Sequence, residues 1–278
     1  MPIRLLALDL DGTVLDAHGG LTDAVCEAVA TVQRRGIRIV LCTGRRFRTA
    51  LPVARELRLS GTIVVNNGVL VKDIASGRTL RHEFLASEVY GEVLAAMREL
   101  VPPLVYVDEY HERTDMLTER IEDAHPFQQE YLADNTEFCR VVPDLAERQP
   151  EAVIMMSAMA DEGSLGDLRE RVVGALGDRV HTHSLMNKNY QGHILEFLSP
   201  SSGKWPALRR VAEAAGIATQ EVAAVGDDAN DEEMIRNAGL GIAMGNATES
   251  VREVARFVVR SNHEGGIVEA LERVLLAS

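Results

Sequence analysis

The sequence predicts an α/β protein: a doubly wound parallel sheet of Rossmann-like kind, with a second α+β domain inserted into it. Three observations predict this. Short, continuous apolar runs recur towards both ends of the chain, as expected of parallel strands covered on both faces. Helical patterns lie between them. The middle of the chain changes character, with strand-like segments that mix apolar and polar residues as half-exposed strands do.

The runs are Ile3–Leu8, Ile37–Cys42, Thr62–Val65, Val222–Val225, Gly241–Met244 and Phe257–Val259. Between the first two, Thr22–Arg35 places Val25, Ala28, Val29 and Val32 on one helical face. It closes on Arg34 and Arg35, cations that suit a helix C-terminus, and then stops at Gly36. Strand, helix and strand at this spacing form a βαβ unit. In the middle, Thr79–Leu85, Leu104–Tyr110, Ala152–Met159, Val180–Leu185 and His193–Leu198 read as strands. Ser87–Leu100 and Ser164–Leu176 read as helices, the first closed by Pro102-Pro103. The last two strands suit a hairpin across Met186–Gly192, and Glu112–Phe138 reads as acidic and irregular. The expected division is residues 1–82, an inserted domain over 83–198, and residues 199–278.

Composition narrows the function. The 278 residues are 46% hydrophobic, enough for a large core, and carry a net charge of −13. Such a chain repels nucleic acid and anionic lipid, so neither is an expected partner. Cys26, Cys42 and Cys139 are too few and too scattered for a disulfide frame or a zinc site. No stretch of about 20 apolar residues exists to span a bilayer. Arg4 precedes only a short apolar run that Asp9 interrupts, unlike a signal peptide. The expectation is a soluble, cytoplasmic protein.

In open parallel sheets, ligands sit beyond the carboxyl ends of the strands. The residues after each run are polar and small: Asp9-Leu10-Asp11-Gly12-Thr13, Thr43-Gly44-Arg45, Asn66-Asn67-Gly68, Gly226-Asp227-Asp228-Ala229-Asn230-Asp231 and Gly245-Asn246-Ala247. Asp11-Gly12 alone fits a turn as well as it fits a site. Five aspartates converging on one crevice do not fit turns alone, because like charges raise one another's cost unless a cation joins them. Carboxylate oxygens with waters are what Mg²⁺ prefers, and no Cys or His cluster competes for a softer metal. Lys204, after Ser202-Gly203, sits in the first turn of a helical pattern, where a cation opposes the helix dipole. That position is better explained if the lysine serves an anion, and amide donors at a helix start favour phosphate as well.

These residues resemble the haloacid dehalogenase superfamily of phosphatases. Asp9-Leu10-Asp11-Gly12-Thr13 matches its DxDGT first motif. Thr43-Gly44-Arg45 and Lys204 resemble the second and third motifs, and Gly226 to Met234 matches the GDxxNDxxM fourth. The four occur in order. The insert resembles the C2B cap of Cof-type members, and Asn67-Gly68 and Met244-Gly245-Asn246-Ala247 resemble that subgroup too. Two features depart from it: Trp205-Pro206 follows the lysine where glycine is usual, and His263 stands in the Ser261–Gly266 segment.

The resemblance implies a Mg²⁺-dependent phosphomonoester hydrolase. Asp9 would be the nucleophile that becomes an aspartyl-phosphate, and Asp11 the acid–base. Mg²⁺ would be held by Asp9, the Asp11 carbonyl and Asp227. Thr43, Gly44, Lys204 and Asn230 would bind the phosphoryl group, with Asp231 and Gly12 in support. The substrate would be a small soluble phosphomonoester, with a sugar phosphate as first guess. Asn187, Lys188 and Tyr190 in the expected hairpin turn would read its leaving group, although the same turn also fits an ordinary polar hairpin. The Arg45–Arg48 run reads as a solvated helix start, although Arg45 also fits a place facing the crevice. His181 and His183 alternate on a strand with no carboxylate partner evident in the sequence. Two other functions remain open: a phosphotransferase or phosphomutase using the same aspartyl-phosphate, and a non-catalytic protein that binds a phosphorylated ligand on this fold.

Overall fold

The computed structural model describes residues 2–119, 121–122, 124–147, 152–187 and 192–278. The chain folds into two compact units, one built from residues 1–82 and 203–278 and the other from Glu83–Ser202.

The first segment runs β1 (Leu5–Leu8), α1 (Asp23–Arg34), β2 (Arg38–Leu41), α2 (Phe47–Glu56), β3 (Thr62–Val65), β4 (Leu70–Asp73) and β5 (Thr79–His82). All four residues of β1 are buried, as its unbroken apolar run requires. Thr22 caps α1 by accepting the Val25 amide, and the helix buries Val25, Val29 and Val32.

The inserted unit runs α3 (Ser87–Leu100), β6 (Leu104–Glu109), β7 (Thr114–Thr118), α4 (Pro126–Asp134), β8 (Cys139–Val141), β9 (Val153–Ala160), α5 (Glu162–Leu176), β10 (His181–Asn187) and β11 (Gly192–Leu198). Its strands form one sheet in the order β10-β11-β9-β6-β7-β8, antiparallel except for the β7–β8 pair. Val105, Leu117, Met156, Ala158, Leu195 and Phe197 pack with residues of α3 and α5 into this unit's core.

The last segment returns to the first unit with α6 (Lys204–Ala214), β12 (Val222–Gly226), α7 (Glu232–Asn237), β13 (Leu240–Ala243), α8 (Glu249–Val254), β14 (Phe257–Val258) and α9 (Gly266–Leu276). The parallel sheet of this unit has the order β14-β13-β12-β1-β2. The chain leaves β1 towards β2 on one side, and β12 lies on the other. The strand order therefore reverses between β1 and β12, where such sheets open a crevice at their carboxyl ends.

Several elements differ from expectation. Thr62–Val65 meets the end of β2 through an isolated parallel Cys42–Val64 bridge and pairs antiparallel with β4. Three successive left-handed residues, Asn66, Asn67 and Gly68, turn the chain back on itself there. Thr79–His82 belongs to this three-stranded sheet. The stretch read as irregular holds β7 and α4. Both faces of β7 are buried, so its polar residues break the expected alternation; Thr118 donates to the Pro103 carbonyl at 3.0 Å. Asn187 lies in β10 paired with Gly192, not in the turn; Lys188 and Tyr190 lie outside the described residues. Phe257 and Val258 of β14 are exposed, because that strand is the sheet edge. Among the described residues, no helix is long and apolar enough to cross a membrane.

Phe197 is fully buried in the inserted unit. Phe197→Ala is expected to cost about 3–5 kcal/mol, through lost burial and a residual cavity. Urea unfolding followed by circular dichroism measures this, and a cost under about 1 kcal/mol would contradict the packing described.

Candidate active site

The site forms where β1 and β12 end side by side. The Asp9 amide donates to Val225 at 3.0 Å, which extends the β1–β12 ladder by one residue and brings Asp9 beside Asp227. The chain then turns sharply. Gly12 has φ +83°, and a Cβ there would stand 2.2 Å from Asp227 Oδ2. Glycine is thus required twice over, by backbone conformation and by the nearness of the carboxylate. The turn brings the Thr13 hydroxyl to Asp227 Oδ1 at 2.6 Å, a contact between residues 214 apart in sequence.

Lys204 opens α6 and is almost wholly buried, its side chain 1% exposed. Its ammonium donates to Asp9 Oδ1 at 2.7 Å, Asp231 Oδ1 at 2.7 Å and Asn230 Oδ1 at 3.1 Å. The unfavourable place of a cation in a first helical turn is offset by these two carboxylates. Burial lowers the pKa of the ammonium, but Asp231 and Asp9 outweigh it and hold the group protonated, above the ordinary lysine range. Asp231 Oδ2 accepts the amides of Asp227 and Asp228 at 3.0 and 3.2 Å, so both of its oxygens are occupied. Asp228 caps the same turn by accepting the Ala229 amide at 2.7 Å.

Oxygens of Asp9, Asp227 and Asp231 lie within 4.8 Å of one another. Burial raises Asp9 well above the usual carboxylate range, opposed by Lys204 and reinforced by Asp231 and Asp227. Burial also pushes Asp227 up to about 7, against the Thr13 hydrogen bond and with the help of Asp231 and Asp228. Two buried carboxylates, Asp9 and Asp231, and the half-buried Asp227 carry more negative charge than one ammonium compensates. The donors are all hard oxygens, so the residues fit a divalent cation of the Mg²⁺ kind. Asp9 and Asp227 are the better placed to hold it, since Asp231 is spent on Lys204 and two amides.

Other expected residues have different surroundings. Thr43 is buried, and its hydroxyl accepts the Arg45 amide at 3.1 Å. The Asp11 carboxylate is exposed and is not one of the clustered carboxylates. Arg45 grips it with two hydrogen bonds, Nε to Oδ2 at 2.7 Å and Nη2 to Oδ1 at 2.5 Å. Arg45 is therefore not simply a solvated member of a basic run. Trp205 packs into the core of this unit. His183 has a carboxylate neighbour after all: Nδ1 lies 3.2 Å from Oε2 of Glu196, which is paired with it across β10 and β11.

Two contributors carry little sequence signal. Thr13 is the last letter of the first motif, and nothing local shows that it meets Asp227. Asn246 donates to the Gly12 carbonyl at 2.9 Å and to Asp227 Oδ2 at 3.2 Å, while its own oxygen accepts the Asn262 amide at 2.9 Å. It stands in the Met244-Gly245-Asn246-Ala247 segment that resembles the Cof-type subgroup, but nothing in that segment shows that it meets Asp227 and Gly12.

The sequence profile of the haloacid dehalogenase-like hydrolases matches residues 6–271. The chain belongs to this family. Among haloacid dehalogenase-like hydrolases it is similar to the Bacillus subtilis (strain 168) 5-amino-6-(5-phospho-D-ribitylamino)uracil phosphatase YitU, at 28% identity over 96% of each chain. It is also similar to phosphatase YwpJ of the same organism, at 25% identity over 98% of this chain and 100% of that one. A crystal structure of a haloacid dehalogenase-like hydrolase from Bacteroides thetaiotaomicron superposes with a TM-score of 0.82 at 28% identity, covering 98% of this chain and 99% of the other. The chain is thus an enzyme of the phosphatase kind within the family, on the family's fold.

The raised Asp227 gives a pH prediction for the metal-free protein. Its pKa moves from 3.8 to about 7 on folding, so the folded state binds the extra proton across that window. Its contribution to stability therefore falls as pH rises from about 4 to about 7 and stays low above that. In EDTA, Asp227→Asn should melt at a higher temperature than wild type at about pH 8, and the gap should close towards about pH 4. Parallel pH–stability curves for the two proteins would count against a half-buried carboxylate of raised pKa.

Proposed function

We propose that the protein is a Mg²⁺-dependent phosphomonoester hydrolase that works through an aspartyl-phosphate on Asp9. One observation carries the reading: a buried carboxylate at a strand end, held by a buried ammonium and flanked by a second carboxylate suited to a cation. Lys204 fixes Asp9 through Oδ1, and among the described residues Oδ2 has no hydrogen-bond partner. That oxygen is the natural nucleophile.

In the first step an Asp9 oxygen attacks phosphorus, the bond to the leaving oxygen breaks, and Asp11 gives that oxygen a proton. In the second step Asp11 takes a proton from water, the water oxygen attacks phosphorus, and the acyl phosphate releases phosphate and restores Asp9. Arg45 occupies both Asp11 oxygens, so Asp11 must part from the guanidinium to reach the leaving oxygen. Lys204 neutralises charge on the phosphoryl oxygens, with Thr43, the Gly44 backbone and Asn230 alongside. Mg²⁺ held by Asp9, Asp227 and the Asp11 carbonyl would supply positive charge against the phosphoryl group and shield the carboxylates from one another.

The core residues address only the phosphoryl group, so selectivity belongs to the inserted domain, with Asn187, Lys188 and Tyr190 as its candidate readers. A small phosphorylated polyol or sugar fits the reading. A relative named for a phosphoribityl substrate supports it, since a ribityl chain is a polyol. A cytoplasmic location suits such a metabolite.

Asp9→Asn should abolish turnover while the fold survives. Asp11→Asn should lose on the order of 10²–10⁴ in kcat. A colorimetric phosphate-release assay over a panel of sugar and polyol phosphates with Mg²⁺ measures both. Near-normal hydrolysis by Asp9→Asn would falsify the mechanism. Chelation should stop turnover, and saturating Mg²⁺ should raise the melting temperature of wild type but not of Asp227→Ala. A melting temperature indifferent to Mg²⁺ in wild type would remove the metal from the account.

A further inference from the structure

We infer that Asn67 is a positioning residue that orients Asn230 and, through it, the Lys204 ammonium; the inference rests on the reading of Lys204 as the cation that serves nucleophile and phosphoryl group. An ammonium has three N–H donors and no acceptor. Here all three are assigned, to Asp9, Asp231 and Asn230. Because Lys204 can only donate, the atom of Asn230 that faces it must be the carboxamide oxygen. The Asn230 NH₂ then faces Asn67, at 2.9 Å, so the Asn67 atom it meets must be an oxygen in turn. The charge on Lys204 thus fixes both amides. Turned over, Asn230 would set N–H groups against an ammonium. The Asn67 oxygen favours the correct orientation, because it accepts from Asn230 only when the Asn230 oxygen points to Lys204.

The chain is shaped around this carboxamide. Asn67 is buried and has φ +53°, in the left-handed region that side-chain-bearing residues rarely occupy; Asn66 before it has φ +51°. The turn is stitched to the end of β2: the Asn67 amide donates to the Thr43 carbonyl at 3.1 Å and the Asn66 amide to that of Arg45 at 3.0 Å. Gly44 lies against the Asn67 side chain, and a Cβ at Gly44 would come 2.9 Å from Asn67 Oδ1. The glycine of the second motif thus makes room for the amide that sets Asn230.

The consequence concerns turnover more than affinity. The Asn230 bond is the longest of the three on Lys204 and the only one to a neutral acceptor. The direction of that N–H is set by an uncharged group, so it depends on how Asn230 itself is held. Without Asn67, the Asn230 NH₂ loses its acceptor, and the carboxamide that takes the third N–H of the ammonium is held from the Lys204 side alone.

The test uses Asn67→Gly, which keeps the left-handed backbone accessible and removes the side chain with its carboxamide, and Asn67→Asp, which keeps an acceptor in place. Asn67→Gly should lower kcat for p-nitrophenyl phosphate by ~10-fold with KM changed less than about twofold, and Asn67→Asp should recover most of the loss. In an Asn230→Ala background, Asn67→Gly should have no further effect on kcat. Unchanged kcat in Asn67→Gly, or the same fold-loss in both backgrounds, would overturn the inference. A second readout does not depend on turnover. The Asn230 side-chain NH₂, followed by ¹H–¹⁵N NMR, should exchange with water ~10-fold faster in Asn67→Gly. Unchanged exchange would sink the positioning role and leave the hydrolase reading standing. A wild type inert to every phosphomonoester, with Asn230 exchange still slowed by Asn67, would sink the hydrolase reading and support the positioning role.

Discussion

One buried ammonium organises the first unit. Lys204 draws Asp9 from the end of β1 and Asp231 from the turn after β12 to 2.7 Å, and it is nearly cut off from water. Leaving either carboxylate without it would strand a buried charge, which costs several kcal/mol. The rest of the site is set by the need to satisfy this centre. Asp231 spends its second oxygen on two backbone amides, Thr13 and Asn246 share Asp227 between them, and Gly12 keeps clear of it. The parallel register of β1 and β12 is the backbone expression of the same constraint, since it sets the two strand ends level.

The centre remains electrically unbalanced. Burial and mutual repulsion raise Asp9 and Asp227 together, while Lys204 can neutralise only one charge. A fold under selection for stability alone would replace such a cluster with apolar side chains. Keeping it is what a site needs if it is to bind a cation and a phosphoryl dianion in turn, with its charges arranged before either arrives. The inserted unit is built on other lines. Its antiparallel sheet carries helices α3 and α5 on the core face, and polar residues such as His183 and Glu196 pair across strands where no helix of that core packs.

Periodicity makes the βαβ frame legible. Unbroken apolar runs such as Leu5–Leu8 and Val222–Val225 bury every residue and so advertise themselves, and α1 shows its buried face at helical spacing. Periodicity fails where both faces of a strand are covered and polar atoms are satisfied within. Thr114–Thr118 is wholly buried yet carries two threonines and an aspartate, and a run like that reads as a loop. It fails also at β3, because the direction of a strand's partner is set by the turn after it, and three left-handed residues there reverse the chain. Asn187 reads as a turn residue because asparagine favours turns, whereas cross-strand pairing with Gly192 carries β10 further.

The sequence by itself determined which chemical groups stand at the strand ends and helix start: carboxylates after β1 and β12, a hydroxyl after β2, a lysine opening α6. Local rules suffice for that, because strand ends and helix starts are local features. Only the tertiary structure decided who faces whom. Asn67 and Asn230 are 163 residues apart, and an asparagine can donate or accept, so nothing in either segment tells which it will do. Asp11 and Arg45 are 34 residues apart, and their pairing cannot be read from DxDGT. Polar side chains acquire direction only when a fixed charge nearby forces it, and here that charge is Lys204, brought into place by the folding of both ends of the chain into one sheet.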